Sequence, residues 1–184
     1  GDESVRLEAC PGTEDWLVLW HPDKATIHKQ TARKCLGMSG TLYVVATPIG
    51  HLGDISRRGI DTLNHVGVIA AEDTRRTRVL LQHIDHTGCE LVSVHEHNEE
   101  RVGPVLIDRM RQGTDIALVS DAGTPLINDP GYLLLQLAWE AGVRVVPIPG
   151  ACSIITALSV CPIPCQPFRY VGFLSSKPKL RRTQ

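Results

Sequence analysis

"DIALVSDAGTPLINDPG", residues 115–131, decides the fold. Ile116–Val119 is a continuous apolar run, as short buried strands of parallel sheets are. The twelve residues that follow, 120–131, hold two acids, two glycines and two prolines. That is dense turn chemistry at the mouth of a strand. Asp129 reads as a helix N-cap with Pro130 at the first helical position. A helix is then expected over Gly131–Ala141, with Gly142 as its stop.

The same rhythm extends outward in both directions. "TLYVVA" (41–46) is a β-branched apolar run that enters "TPIGHLGD", and a helix follows over Ile55–His65 with Ile55, Gly59 and Leu63 on one face. "VGVIAA" (66–71) runs into "EDTRRT", and Thr74–His83 reads as helix. "CELVSV" (89–94) runs into "HEHNEE". Val102, Val105, Leu106 and Met110 then form a helical stripe that stops at Gly113. "VRVVPI" (143–148) is the fifth strand, and "PGACSIITALSV" (149–160) turns into another helix. Five strands, each followed by a loop or helix, predict an α/β fold with an open, mostly parallel sheet and flanking helices. Such sheets bind ligands outside the carboxyl ends of their strands. The glycines, prolines and ionisable residues cluster in the loops at those ends.

Composition bounds the function. The chain has 184 residues, 42% hydrophobic and 21% charged, enough to bury a core. Net charge is −1, so the whole-chain balance attracts no polyanion. The distribution differs from the total. After Glu140 no acid follows, whereas Arg144, Arg169, Lys177, Lys179, Arg181 and Arg182 do, which makes a basic stretch suited to nucleic acid. No apolar run reaches the ~18 residues of a membrane span. The six cysteines come without a basic segment leading into an apolar one, so reduced thiols in a cytoplasmic protein are expected. Cys161-Pro-Ile-Pro-Cys165 has no second cysteine pair beside it, and no metal site is expected there. Residues 1–37 do not share the rhythm. They read as an extension before a natural start at Met38, with a true N-terminal arm as the alternative.

The loops narrow the chemistry. "TPIGHLGD" is not GxGxxG and lacks the lysine of a phosphate loop, so NAD and ATP are weakly supported. "EDTRRTR" sets Arg75, Arg76 and Arg78 behind two acids, and guanidinium groups beside a crevice suit phosphate oxygens. "HEHNEE" offers His95 and His97 without a third His or Cys nearby, so substrate contacts or loop-fixing hydrogen bonds are expected there.

Five motifs in order, "LYVVATPIGHLGDIS", "IAAEDTRRTRVLL", "HEHNE", "ALVSDAGTPLINDPGY" and "VVPIPGACSIITAL", resemble the 16S ribosomal RNA 2′-O-methyltransferases of the tetrapyrrole-methylase superfamily. The resemblance runs from about Thr41 to Arg182. It implies an S-adenosylmethionine-dependent enzyme that methylates a ribose 2′-hydroxyl of a cytidine in 16S rRNA of the small ribosomal subunit. It also implies two α/β domains with the cofactor in the cleft between them, and a homodimer. On that pattern residues 38–149 are the first domain and 150–184 the start of a second, most of which is missing. By resemblance, cofactor contacts fall on Pro48, Ile49, Asp121, Ala122, Gly123, Thr124, Ile127, Cys152 and Ser153. Relatives commonly have Ser at position 152 and Asn at position 51, so Cys152 and His51 are departures. Cys152 loses a good hydroxyl donor.

A ribose hydroxyl is a poor nucleophile and needs a general base. Asp54, Asp73, Glu96 and Asp121 are candidates by loop position. Asp73 is preferred because it adjoins the arginine cluster. RNA contacts are expected from Arg75, Arg76, Arg78, Lys177, Lys179, Arg181 and Arg182. Two alternatives remain at this stage. One is a precorrin-type tetrapyrrole methylase, whose typical GxGxGD first loop "TPIGHLGD" departs from. The other is a non-catalytic chain that binds RNA or cofactor.

Overall fold

The computed structural model describes residues 39–183. They divide into two units, with the break between Cys152 and Ser153. The first unit holds a five-stranded sheet: β1 (Thr41–Val45), β2 (Val68–Ala71), β3 (Glu90–Ser93), β4 (Ile116–Val119) and β5 (Arg144–Ile148). The strand order is β3-β2-β4-β1-β5, and every pairing is parallel. Helices α1 (Arg57–His65), α2 (Thr74–His83), α3 (Glu99–Arg111) and α4 (Tyr132–Glu140) are the crossovers. The expected α/β architecture is therefore observed.

Side-chain alternation explains the layering. In β4, Ile116 and Leu118 point into one core cluster, with Leu106, Ile107 and Met110 of α3 and Leu134 and Ala138 of α4. Ala117 and Val119 point into the other, with Leu63 of α1 and Leu80 and Leu81 of α2. β2 divides in the same way, Val68 and Ala70 against Ile69 and Ala71. The continuous apolar runs arise because both faces of the sheet are covered. Pro147 lies in the edge strand β5, where its missing N–H costs no ladder bond.

Two local expectations fail. Asp129 is not the cap of α4. The cap is Gly131, at φ 114°, and it makes no side-chain hydrogen bond to the helix. Asp129 instead turns back and accepts from the Ser120 side chain. A Cβ on Gly131 would lie 2.8 Å from Leu118 Cδ2, so glycine is needed there for conformation and for space. In α3 the buried face is Gly103, Leu106, Ile107 and Met110, while Val105 is 53% exposed. Val105 lies one step off the stripe that its neighbours define.

The second unit carries α5 (Ser153–Ser159) and α6 (Pro178–Arg181). Ile155, Val160, Ile163, Phe168 and Phe173 are exposed in it. Among the described residues no helix is long and apolar enough to cross a membrane.

Candidate functional site

Register sets the position of the site. Val45 pairs with Val119 and Ile148, Ala71 pairs with Val119, and Ser93 pairs with Ala71. All five strands therefore end on one rung. The loops that leave them start at the same height and form one rim at the carboxyl edge of the sheet. The chain skips over β4 between β1 and β2, and over β1 between β4 and β5. The connections after β1 and β4 run in opposite directions and lead to helices on opposite faces of the sheet, as at the topological switch point of open α/β sheets.

Thr47 joins these two loops. Its N–H donates to the Gly123 carbonyl at 2.9 Å, and its own carbonyl accepts from Gly123 N–H at 3.0 Å. Its buried hydroxyl donates to the Ser120 carbonyl at 3.1 Å. Gly123 takes φ 87°, and Ile49 covers it so closely that a Cβ would meet Ile49 Cγ2 at 3.3 Å. Thr124 Oγ1 donates to the Ala151 carbonyl at 3.4 Å, bringing the turn after β5 to the same place. The backbone groups of Gly123 are thus engaged with Thr47, and its left-handed conformation is what lets the two loops meet. Thr47 did not stand out in the sequence. A threonine next to a proline is ordinary, and its partner lies 76 residues away.

The loops after β2 and β4 are joined by acids. Asp121 Oδ1 accepts from Asp73 N–H at 3.1 Å, and Glu72 Oε2 accepts from Asp121 N–H at 3.4 Å. Arg76 Nε lies 3.4 Å from Asp121 Oδ2. Thr47, Pro48, Leu52, Arg76, Thr77, Leu80, Ser120 and Asp121 line a notch of about 60 Å³. Ligand sites measure ~300–1,000 Å³, so the notch is a detail of the crevice rather than the whole of it.

Adjacent acids are pushed in opposite directions. Burial raises the Glu72 carboxyl above its usual range. The Asp121 N–H works against this, the Asp121 and Asp129 charges add to it, and Arg76 opposes it. Asp129 is raised as well, chiefly by burial, against the bond from Ser120. Asp73 is held at about 2 by its hydrogen bonds with the Arg75 side chain and backbone. Asp73 is the N-cap of α2: Oδ1 accepts from Arg75 N–H at 2.9 Å, and Oδ2 meets the Arg75 guanidinium at 2.7 Å.

The predicted cofactor residues occupy three touching loops of the first unit. Pro48 and Gly123 are buried, Ile49, Asp121, Thr124 and Cys152 are half-buried, and Ala122 and Ile127 are exposed. Ser153 opens α5 of the second unit. Arg75 and Arg76 are tied to Asp73 and Asp121, whereas Arg78 is exposed and off that network. Lys177, Lys179, Arg181 and Arg182 are all exposed in and around α6. Asp54, at the end of a short 3-10 turn (Leu52–Asp54), and Glu96, in the loop after β3, are exposed. Asn98 fixes the loop after β3, accepting from His95 N–H at 2.9 Å and donating to the Ser93 carbonyl at 2.9 Å. His51 Nδ1 accepts from Gly53 N–H at 3.1 Å, a local turn bond of the kind an asparagine side chain makes.

A five-stranded parallel sheet whose strands all end on one loop-lined rim defines an open α/β fold, the kind that takes ligands at its carboxyl edge. The sequence profile of the tetrapyrrole (corrin/porphyrin) methylases matches residues 41–184, and the chain belongs to that family. It is 53% identical over 143 residues to "Ribosomal RNA small subunit methyltransferase I" of Escherichia coli O157:H7, covering 78% of this chain and 50% of that protein. It is 54% identical over 144 residues to the protein of the same name from Micromonospora olivasterospora, covering 78% of this chain and 46% of that protein. The chain thus spans about half the length of the curated relatives it matches. The crystal structure of a cobalt precorrin-4 methyltransferase superposes with TM-score 0.54 at 22% identity, over 65% of this chain and 49% of that one. That likeness shows the shared fold.

Proposed function

We propose that this chain belongs to an S-adenosylmethionine-dependent enzyme that methylates a cytidine ribose 2′-hydroxyl in 16S rRNA. Identity above 50% to relatives named as ribosomal RNA small subunit methyltransferases carries the reading. The crevice supports it. Exposed Ile127 and Ala122 and half-buried Ile49 offer apolar surface to an adenosine. Glu72, Asp121 and Asp129 suit a ligand with a sulfonium and an ammonium, and they disfavour a phosphate cofactor. The residues of the first unit therefore fit the cofactor, with Pro48, Ile49, Asp121, Ala122, Thr124, Ile127 and Cys152 as its contacts. Gly123 shapes the floor beneath it. When bound, S-adenosylmethionine supplies an electrophilic methyl group to an in-line displacement, a reaction in which positioning supplies much of the rate.

The residues of the chain must also receive the proton of the ribose hydroxyl. Asp73, the base preferred from sequence, is a weak base at about 2. Glu72, one residue before it, is pushed toward the range in which a carboxylate accepts protons well. We assign the base role to Glu72 and the capping and arginine-orienting roles to Asp73.

The basic groups of the second unit are one proposed RNA contact and Arg78 of the first unit is another, in a cytoplasmic homodimer acting on the small ribosomal subunit. Affinity for 16S rRNA should then fall steeply with salt, by a log–log slope of about 0.7–0.9 per phosphate neutralised. The deciding experiment titrates S-adenosylmethionine into the chain by calorimetry. It then offers labelled cofactor with unmodified small subunits or with a porphyrinoid. Saturable binding and label on a cytidine 2′-oxygen are expected. Absence of saturable binding, or label on the porphyrinoid alone, sinks the reading.

A further inference from the structure

Cys161 and Cys165 take no part in the proposed chemistry, yet the second unit holds them together. Of the three residues between them, two are prolines, so Ile163 has the one backbone N–H of the segment. Ile163 serves both thiols. Its N–H donates to the Cys161 sulfur, and its carbonyl accepts from Cys165 Sγ at 3.1 Å. The two thiols also influence each other's ionisation. Pro162 and Pro164 fix φ on either side, so the loop holds the thiols close with little freedom left to lose. Both cysteines are partly exposed, and Cys165 also lines a groove of about 480 Å³ with Ile155, Leu158 and Phe168. Among the described residues no group of three metal-ligating side chains exists.

We propose that Cys161 and Cys165, held three residues apart by Pro162 and Pro164 with Cys165 hydrogen-bonded to the Ile163 carbonyl, form a modification site: a dithiol that closes to a disulfide by exchange with a small disulfide such as glutathione disulfide. The Cys161 thiolate attacks one sulfur of glutathione disulfide. A Cys161–glutathione mixed disulfide forms and one glutathione thiolate leaves. Cys165 loses its proton to solvent and attacks the Cys161 sulfur. The Cys161–Cys165 bond forms and the second glutathione thiolate leaves. Two protein thiols are oxidised, and one glutathione disulfide is reduced to two thiols. The order of attack follows from the environment. The Ile163 N–H and the Cys165 thiol stabilise the Cys161 thiolate and lower its pKa, while the same contact raises Cys165.

The full reduced chain is incubated over a series of glutathione disulfide-to-glutathione ratios, quenched with acid, alkylated, digested and read by mass spectrometry. The wild type should lose two hydrogens within the peptide that contains both cysteines. Cys165→Ser should accumulate one glutathionyl group on Cys161, and Cys161→Ser should react several-fold more slowly. In brief alkylation at neutral pH, Cys161 should be labelled several-fold ahead of Cys89, whose thiol burial pushes up. Two results overturn the proposal. One is wild type that stays fully alkylatable at every ratio. The other is wild type that accumulates the mixed disulfide as readily as Cys165→Ser does. Both are read on the unmutated chain, so neither depends on a variant folding.

Discussion

The two ends of the sheet handle charge differently. At the amino end, Glu90 is paired with Arg109 at 2.6 Å, and Asp115 precedes β4, where its Oδ1 accepts from Thr41 N–H at 2.7 Å while its backbone carbonyl accepts from Gly67 N–H. One acid there joins β1, β2 and β4 at no cost in repulsion. At the carboxyl end Glu72, Asp121 and Asp129 repel one another, with Arg76 against Asp121. Chain reversal needs turns at both ends, so turn chemistry alone does not account for the difference. Acids kept together against their own repulsion support the proposal that this end meets a ligand. The amino end shows what the same fold does when only stability is at stake.

The largest expected effect breaks the comparison at its functional side. Glu72→Gln should lower the single-turnover rate of methyl transfer by ~10²–10⁴, the usual yield of general-base catalysis. Cofactor affinity by calorimetry should change far less. Asp73→Asn keeps a capping side chain and should leave the rate within a few-fold. If the two variants exchange these phenotypes, the base is Asp73 after all. Next in size is a test of the left-handed glycines at the two ends. Gly131→Ala meets Leu118 and should destabilise by about 3 kcal/mol in urea unfolding, from strain and crowding together. Gly142 has φ 68° and open space around it, so Gly142→Ala should cost only about 1–2 kcal/mol. Asp115→Ala leaves the Thr41 amide without its partner and should cost about 1–2 kcal/mol by the same measurement.

Sequence made the sheet legible because each strand is buried on both faces, and a continuous apolar run followed by turn residues has few other readings. α2 was found residue for residue at Thr74–His83, since an acid before it and a histidine at its end mark both termini. The misses share a cause. Asp129 looked like a cap from its neighbours, but its carboxyl reaches back across the loop to Ser120. Thr47 and Glu72 matter through residues 76 and 49 positions away, Gly123 and Asp121. Local pattern places an acid in a loop. It does not say whether a backbone amide, an arginine or another acid will meet it, and that encounter separates Glu72 from Asp73.

The smallest effect separates the two ends by sign. Glu72 and Asp129 have folded-state pKa values raised above their unfolded ones. The folded state then binds more protons than the unfolded state, so their contribution falls as pH rises. It is most favourable below the unfolded values of 4.5 and 3.8 and is lost as pH climbs through the raised folded values. Glu72→Gln removes that penalty and should raise the melting temperature at pH 7 by on the order of 1–2 °C, small because the group is largely solvated. Below about pH 4 the gain should vanish, since Glu72 is then protonated in both states. Asp73 has the opposite sign. Its stabilisation is present above 3.8 and is lost as pH falls toward about 2. One variant, Glu72→Gln, should therefore be slower and more heat-stable at neutral pH, whereas Asp115→Ala should be less stable there. Were Glu72→Gln less stable than wild type at pH 7, the carboxyl end would be held together by its acids just as the amino end is. The physical case for a ligand-facing edge would then be lost.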